Sequence, residues 1–328
     1  MKPFRYDRAE DISGAVATLA REPAGVFLAG GTNLVDLMKL DVVKPDVLVD
    51  VRRLTSAEIE DLPDGGLRIG AAVTNSELAA DRRIRSRYPA LSQALLSGAS
   101  GQLRNLATTG GNLLQRTRCA YFYDTTTPCN KREPGSGCSA LEGYNKEHAI
   151  LGASRHCVAT HPSDMAVAMT ALDAMVRIHG PRGQRQIPIT ELYRLPGQEP
   201  QHDTNLEHAE LITGVDLPPS AFSPNSRYRK VRERASYAFA LVSVAAALEV
   251  RDGVVHDVRL ALGGVAHRPW RAEKAEDALR GKPAVQQSFR AAAAAELAGA
   301  APLRDNAYKV PLARNVMIRT LLELSGER

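Results

Sequence analysis

Short apolar runs alternate with segments of helical spacing along the first half of the chain. Three runs rich in valine, leucine and isoleucine predict strands, at residues 26–28, 47–51 and 67–70. Apolar residues that recur at intervals of three and four predict two helices, at residues 91–96 and 165–175.

The last third of the chain has longer apolar runs. Those at 241–250 and 258–262 fit either strands or buried helices. An alanine-rich run at 290–297 predicts a surface helix, and 316–324 predicts a C-terminal one.

A proline-rich joint separates these two parts of the chain. Residues 195–200 contain two prolines and a glycine, and Pro218 and Pro219 follow the next predicted strand. Alternating strands and helices, followed by a smaller α+β unit, predict two domains, at residues 1–220 and 221–328.

Residues 115–160 follow neither period and predict a long irregular insertion in the first domain. The segment contains Pro128, Pro134, Gly135 and Gly137, and it holds all four cysteines of the chain. A loop of this length is unusual in a domain unless it is functional or internally cross-linked.

A double-glycine loop follows the first predicted strand. Gly30 and Gly31 allow backbone N–H groups to approach a ligand, and Thr32 or Asn33 can cap the helix that follows. Such a helix start is suited to a phosphate, although the loop matches neither the Walker A nor the Gly-x-Gly-x-x-Gly pattern. Taken alone, an ordinary tight turn explains it better.

A second loop of the same kind, at residues 107–114, changes that balance. It again combines paired glycines with hydroxyl and amide side chains. Two such loops in one domain can hold two parts of an elongated anionic ligand, such as a dinucleotide.

The four cysteines Cys119, Cys129, Cys138 and Cys157 fall in one short window, separated by nine, eight and eighteen residues. Thiolates on an irregular loop favour an iron–sulfur cluster. Structural zinc ranks second, because its ligand pairs usually lie two to four residues apart. Disulfides rank third, since we expect the chain to be made where thiols stay reduced. Ligation by three cysteines and one of the nearby histidines stays open, the candidates being His148, His156 and His161.

Composition narrows the functional classes. The 328 residues are 44% hydrophobic and 24% charged, as in ordinary globular proteins, and the net charge is only +5. Aromatic residues make up 5% and do not interleave with basic ones, which argues against nucleic acid as a partner. The N-terminal residues lack a secretory signal, and no apolar run is long enough for membrane insertion.

Four motifs resemble the flavin subunits of the xanthine dehydrogenase/aldehyde oxidase family of molybdenum hydroxylases. They lie in the order expected for that family, at residues 29–34, 104–112, 162–164 and 228–234. The cysteine insertion is absent from most of the family. It resembles the insertion of bacterial periplasmic aldehyde oxidoreductases and, less closely, that of aromatic acyl-CoA reductases.

The resemblance implies an α+β fold and two cofactors. The first domain is expected to be a two-part FAD-binding domain of the vanillyl-alcohol oxidase type. The second is expected to be a small α+β domain of the carbon monoxide dehydrogenase flavoprotein type. The four cysteines would ligate a 4Fe-4S cluster.

The resemblance also implies roles for individual FAD-binding residues. The pyrophosphate would bind to the first glycine loop, formed by Ala29, Gly30, Gly31, Thr32, Asn33 and Leu34. Further contacts would come from Thr108, Gly111, Asn112, Asp164, Ile212 and Lys230. Asp164 would bind cofactor hydroxyls, Ile212 would pack on the flavin ring, and Lys230 would stabilise the reduced flavin. A helix-start acid, a core isoleucine and a strand-edge lysine are the simpler interpretations of these three.

The implied activity is electron transfer within a heterotrimer. A molybdopterin-binding large subunit would oxidise an aldehyde to a carboxylic acid, and a 2Fe-2S small subunit would pass the electrons to FAD on this chain. The alternatives are a flavin subunit of an aromatic acyl-CoA reductase and, in another class, a zinc-stapled binding module. The expected location is the periplasm, through co-export with a signal-bearing partner, and the alternative is the cytoplasm.

Overall fold

A small parallel sheet begins the fold. The computed structural model describes residues 1–326, and its first sheet has the order β1-β3-β2. These strands are β1 (Arg5–Arg8), β2 (Gly25–Leu28) and β3 (Val47–Asp50). Parallel neighbours need crossover connections, which are supplied by α1 (Ile12–Ala20) and α2 (Leu34–Lys39).

A five-stranded antiparallel sheet forms the rest of the first domain, in the order β4-β5-β8-β6-β7. Its strands are β4 (Ile59–Asp61), β5 (Leu67–Gly70), β6 (Met175–Gly180), β7 (Gly183–Pro188) and β8 (Leu211–Leu217). Eight helices lie between these strands in the chain. They are α3 (Asn75–Ala80), α4 (Arg82–Arg87), α5 (Pro89–Ser97), α6 (Gly101–Arg104), α7 (Thr109–Leu113), α8 (Ala120–Tyr123), α9 (Asp164–Ala171) and α10 (Ile189–Leu192).

The C-terminal unit is a four-stranded antiparallel sheet covered by helices, with the order β12-β11-β10-β9. Its strands are β9 (Ser226–Val231), β10 (Val242–Arg251), β11 (Val254–Gly263) and β12 (Trp270–Arg271). Asp252 and Gly253 both have positive φ, which suits the tight hairpin between β10 and β11. The helices are α11 (Glu273–Leu279), α12 (Gln286–Leu297) and α13 (Lys309–Ser325).

The two units pack together through α9. All eight residues of this helix are buried, because it contacts α5 on one side and β10 and β11 on the other. Strand β10 in turn lies between α9 and α13, so seven of its ten residues are buried. A strand covered on both faces is apolar throughout and lacks the alternation of apolar and polar residues. The sequence pattern therefore could not distinguish β10 from a buried helix.

Several sequence predictions are confirmed and three need correction. The strands predicted at 26–28, 47–51 and 67–70 correspond to β2, β3 and β5. The runs at 241–250 and 258–262, which fitted either strands or buried helices, form most of β10 and part of β11, and residues 115–160 are irregular apart from α8. The helix predicted at 165–175 ends at Ala171, because Asp173 takes a positive φ and Met175 already begins β6. The stretch 195–200 is not a joint, since the chain returns from it to the first domain's sheet as β8. Helix α12 is only partly a surface helix, because Phe289 and Leu297 are buried.

No helix within residues 1–326 combines the length and the apolar character that crossing a membrane requires.

Candidate cofactor sites

The two glycine loops lie against each other. A Cβ on Gly30 would stand 2.2 Å from the carbonyl oxygen of Leu106, so only glycine allows this approach. Gly31 has a φ of 73°, which also favours glycine. A Cβ on Gly111 would lie 3.8 Å from Cβ of Ala29. The structure therefore brings residues 29–34 and 108–112 together, as a shared dinucleotide site requires.

The first loop presents unpaired backbone donors. The N–H groups of residues 30–34 have no hydrogen-bond partner within residues 1–326. In the second loop, by contrast, Thr108 caps α7 by accepting a hydrogen bond from the N–H of Gly111. Free amides at the start of a helix suit an anionic group, so the first loop is the better phosphate site.

Asn33 does not cap α2, contrary to one of the two capping expectations. Its Oδ1 accepts from the backbone N–H of Arg116 at 2.8 Å, and its Nδ2 donates to the hydroxyl of Tyr123 at 3.4 Å. Asn33 thereby joins the first glycine loop to the start of the cysteine insertion.

Asn112 connects the second loop to the Pro-Ser-Asp motif. Its Oδ1 accepts a hydrogen bond of 2.6 Å from the hydroxyl of Ser163. Ser163 caps α9 by accepting from the N–H of Ala166. Asp164 is thus the first residue of α9, where the positive end of the helix dipole stabilises a carboxylate.

Asp164 and Lys230 form a buried ion pair. Oδ2 of Asp164 lies 2.8 Å from Nζ of Lys230, and their side chains are only 9% and 3% exposed. Oδ1 of Asp164 accepts a hydrogen bond of 2.5 Å from the hydroxyl of Tyr228. Burial, together with the charge of Asp164, raises the pKa of Tyr228 well above its usual value. Lys230 is therefore no strand-edge residue in solvent, and it also donates to the carbonyl of Ser97.

A cavity of about 300 Å³ lies beside this pair, at the lower end of the size range of ligand sites. Asp164, His161, Phe239 and Cys119 are among its lining residues. Nε2 of His161 is buried without a partner among residues 1–326, and burial lowers the pKa of its ring to about 3. Ile212 does not line this cavity, because it is buried in the core of the five-stranded sheet.

All four cysteines line a second, smaller cavity next to the first. None of them forms a disulfide. Cys129 and Cys138 face each other across an isolated antiparallel bridge. Oδ1 of Asn130 accepts from the N–H groups of Gly135 and Gly137, which bends the intervening chain into a closed turn. The irregular spacing in sequence thus becomes one convergent set of thiols, a donor set that suits an iron–sulfur cluster.

Burial makes two of these thiols, those of Cys119 and Cys157, poor acids while they are free. It raises the pKa of Cys119 to about 12 and that of Cys157 to about 11, and the neighbouring cysteines add to both shifts. Lys131 opposes the shift at Cys157. A bound metal reverses this balance, because a coordinating thiol is deprotonated outright.

One of the three nearby histidines contacts a cysteine. Nε2 of His148 lies 3.1 Å from Sγ of Cys119, whereas Nε2 of His156 accepts from Arg155. Burial and the charge of Lys309 lower the pKa of His148 to about 4, so the ring is neutral at physiological pH. Among residues 1–326, no three His, Cys, Asp or Glu side chains are arranged to hold a single metal ion.

Two charged residues that the sequence did not single out fix the insertion. Asp203 accepts from Nζ of the buried Lys131 at 2.5 Å and from Nε of Arg116 at 2.8 Å. Lys309, fully buried at the start of α13, donates to the carbonyls of Glu147, His148 and Gly264. No local motif marks either residue, because each acts on a segment far away in the sequence.

Comparison with known proteins places this geometry in a family. Residues 2–220 match the FAD binding domain in molybdopterin dehydrogenase, and residues 226–324 match the CO dehydrogenase flavoprotein C-terminal domain. The chain belongs to this family. It is thus the FAD-binding subunit of an oxidoreductase, and the predicted family, fold class and FAD-binding domain are confirmed.

Individual relatives agree over nearly the whole length. The chain is 52% identical to the aldehyde oxidoreductase FAD-binding subunit PaoB of Escherichia coli K12, and the match covers 100% of both chains. It is 26% identical to the glyceraldehyde dehydrogenase medium chain of Sulfolobus acidocaldarius, over 85% of this chain and 82% of that one.

Solved structures share the fold. A chain of quinoline 2-oxidoreductase from Pseudomonas putida 86 has a TM-score of 0.75 and 26% identity, with 99% of each chain covered. A chain of CO dehydrogenase from Oligotropha carboxidovorans has a TM-score of 0.77 and 23% identity, with 100% of this chain and 99% of that one covered. Several other relatives are the medium chain or medium subunit of their enzymes.

Proposed function

We propose that this chain is the FAD- and 4Fe-4S-binding electron-transfer subunit of a heterotrimeric molybdenum aldehyde oxidoreductase. The observation that carries the proposal is that four free cysteines line one cavity, which shares Cys119 with the larger cavity beside Asp164. The full-length identity of 52% to an aldehyde oxidoreductase subunit supports the reaction class.

The chain's own residues are suited to hold FAD. The unpaired amides of residues 30–34 would bind its pyrophosphate, and the adjoining loop at 108–112 would close the same channel. Asp164, at the rim of the larger cavity, would orient the flavin end, with Lys230 fixing the direction of its carboxylate. When bound, FAD takes up two electrons and releases them to an acceptor.

The cysteine insertion is suited to hold a 4Fe-4S cluster. Four thiolates are the ligand set of such clusters, and each binds a different iron, which does not require the close grouping of ligands around one ion. Lys131 also lines this cavity, and its positive charge favours the thiolate form of Cys157.

The proposed partners follow from the reaction, and the proposed location follows from the resemblance to periplasmic aldehyde oxidoreductases. Oxidation of an aldehyde, with water as the source of the added oxygen atom, gives a carboxylic acid, two protons and two electrons. A molybdopterin-binding large subunit would carry out that step, and a 2Fe-2S small subunit would deliver the electrons to this chain. Export of the assembled complex on a partner's signal would place it in the periplasm. Cell fractionation with and without the signal-bearing subunit tests this location.

Cofactor analysis of the purified full-length chain tests the proposal. Flavin absorption, FAD released on denaturation and about four irons per chain are expected. Cys138→Ser should abolish the iron and leave FAD in place. The matched control is Ser139→Ala, at the neighbouring residue whose hydroxyl bonds only to the carbonyl of Pro128. Zinc in place of iron would refute the cluster, and a protein without FAD would refute the flavin role.

A further inference from the structure

His148 lines the larger cavity and touches Cys119, the cysteine that lines both cavities. Nε2 of the His148 ring is 3.1 Å from Sγ of Cys119. Backbone N–H groups of Tyr121 and Phe122 stabilise the same sulfur. The sulfur of Cys119 therefore has two backbone N–H groups and one side chain, that of His148, as hydrogen-bond donors nearby.

The protonation of the ring determines the direction of this hydrogen bond. Nδ1 of His148 is buried and has no partner among residues 1–326, so Nε2 is the ring atom with a polar neighbour. A thiolate bound to iron has no proton to donate. The contact is then a hydrogen bond only if Nε2 carries a proton.

The C-terminal domain holds the backbone of His148 in place. The backbone carbonyl of His148 accepts from Nζ of Lys309 at 3.0 Å and from Nδ2 of Asn306 at 3.1 Å. Its backbone N–H donates to the carbonyl of Asn145, which exchanges two further hydrogen bonds with Asp305. The backbone of His148 therefore cannot move away from Cys119 without breaking contacts between the two domains.

We infer that His148 is a positioning residue for the cluster, and that its Nε2–H donates to Sγ of Cys119 and raises the cluster's reduction potential. This inference rests on the proposed 4Fe-4S cluster. Reduction adds negative charge to the cluster and its thiolates, and a donor hydrogen bond stabilises that charge. Hydrogen bonds to the sulfurs are among the factors that set such potentials. Because Cys119 also faces the larger cavity, the donor acts on the flavin side of the cluster.

Two substitutions at this position separate the hydrogen bond from the bulk of the ring. His148→Phe keeps a ring but removes both nitrogens, whereas His148→Gln retains an N–H donor near the position of Nε2. His156→Phe is the matched control. His156 lines the smaller cavity together with the four cysteines, but its ring accepts a hydrogen bond from Arg155 and does not contact a cysteine.

The readouts are iron and FAD content, followed by a redox titration of the cluster monitored by electron paramagnetic resonance. We expect His148→Phe to retain its iron and to have a lower cluster potential. His148→Gln should lie closer to the wild type, and the control should be unchanged. An unchanged potential in iron-loaded His148→Phe would overturn the inference. Loss of iron from both His148 variants would overturn it too, because His148 would then be a ligand. A wild-type chain without iron would instead refute the proposed cluster itself.

Discussion

Substitutions in the ion pair between Asp164 and Lys230 can separate its effect on folding stability from its effect on FAD binding. Both residues are expected to serve FAD, yet in the structure each neutralises the other. Their side chains are 9% and 3% exposed, and their charged atoms are 2.8 Å apart. Asp164→Asn leaves the ammonium of Lys230 with the carbonyl of Ser97 at 3.1 Å as its remaining acceptor. Lys230→Met leaves the carboxylate with the hydroxyl of Tyr228.

The size of the effect follows from the burial of both charges. Removing one partner of a buried pair typically costs about 3–5 kcal/mol, because the other charge stays in a poorly solvated site. At about 1.4 kcal/mol per factor of ten, this lowers the folding equilibrium constant roughly a hundredfold to several thousandfold. Replacing both residues removes the uncompensated charge. The double variant Asp164→Asn/Lys230→Met should therefore be more stable than either single variant.

Urea unfolding of the four proteins, followed by fluorescence, gives the double-mutant cycle. FAD content is measured on the same samples. We expect stability to recover in the double variant while FAD binding stays weakened, because the carboxylate at the cavity rim is still missing.

Two results would refute this reasoning. If the double variant were as unstable as the worse single variant, the two charges would not compensate each other. If the double variant retained full FAD occupancy, the pair would be a structural feature with no role at the cofactor site.

Three further predictions concern the loops and the buried charges. Gly30→Ala should abolish FAD retention, because the added Cβ would lie 2.2 Å from the backbone oxygen of Leu106. The control Gly101→Ala, whose added Cβ meets no atom within 4 Å, should retain FAD. Equal FAD retention in the two variants would contradict the role of the loop contact. Asp203→Asn should lower the free energy of unfolding, measured with urea, by about 3–5 kcal/mol, because the buried ammonium of Lys131 loses its counter-ion. Adding Lys131→Met to the same chain should restore most of this loss. Burial lowers the pKa of Lys309 from 10.5 to about 7, so the unfolded chain binds more protons between these values. Wild-type thermal stability should therefore rise from pH 7 to 10 relative to Lys309→Met, and parallel profiles would contradict this.

The sequence predicted the elements that local patterns determine. The strands at 47–51 and 67–70 were identified because valine and isoleucine runs between turn residues have few alternative structures. The two glycine loops were recognised as a pair, and the structure places Ala29 and Gly111 side by side. Local signals were sufficient in these cases because each feature depends on residues that are adjacent in the sequence.

Features that depend on tertiary packing could not be predicted in this way. The positive φ of Asp173 ends α9 early, although the apolar spacing continues to Met175. Asp203 and Lys309 resemble ordinary surface charges in the sequence, and only the folded chain places them under the cysteine insertion. The pairing of Asp164 with Lys230 links residues 66 positions apart, so no local pattern reveals it.

The cysteine insertion belongs physically to both domains. It leaves the first domain after α7, and Asn33 and Asp203 hold it there through Arg116. Its distal part, around residues 145–149, is held instead by residues 305–309 of the C-terminal unit. A shift of one domain against the other must therefore strain the segment that carries Cys119 and Cys157. The same segment forms the wall between the two cavities, so the packing of the domains fixes the relative positions of both proposed cofactor sites. This explains why a loop with so little regular structure can be partly buried and closely hydrogen-bonded: its order comes from the two units it joins, and not from its own sequence.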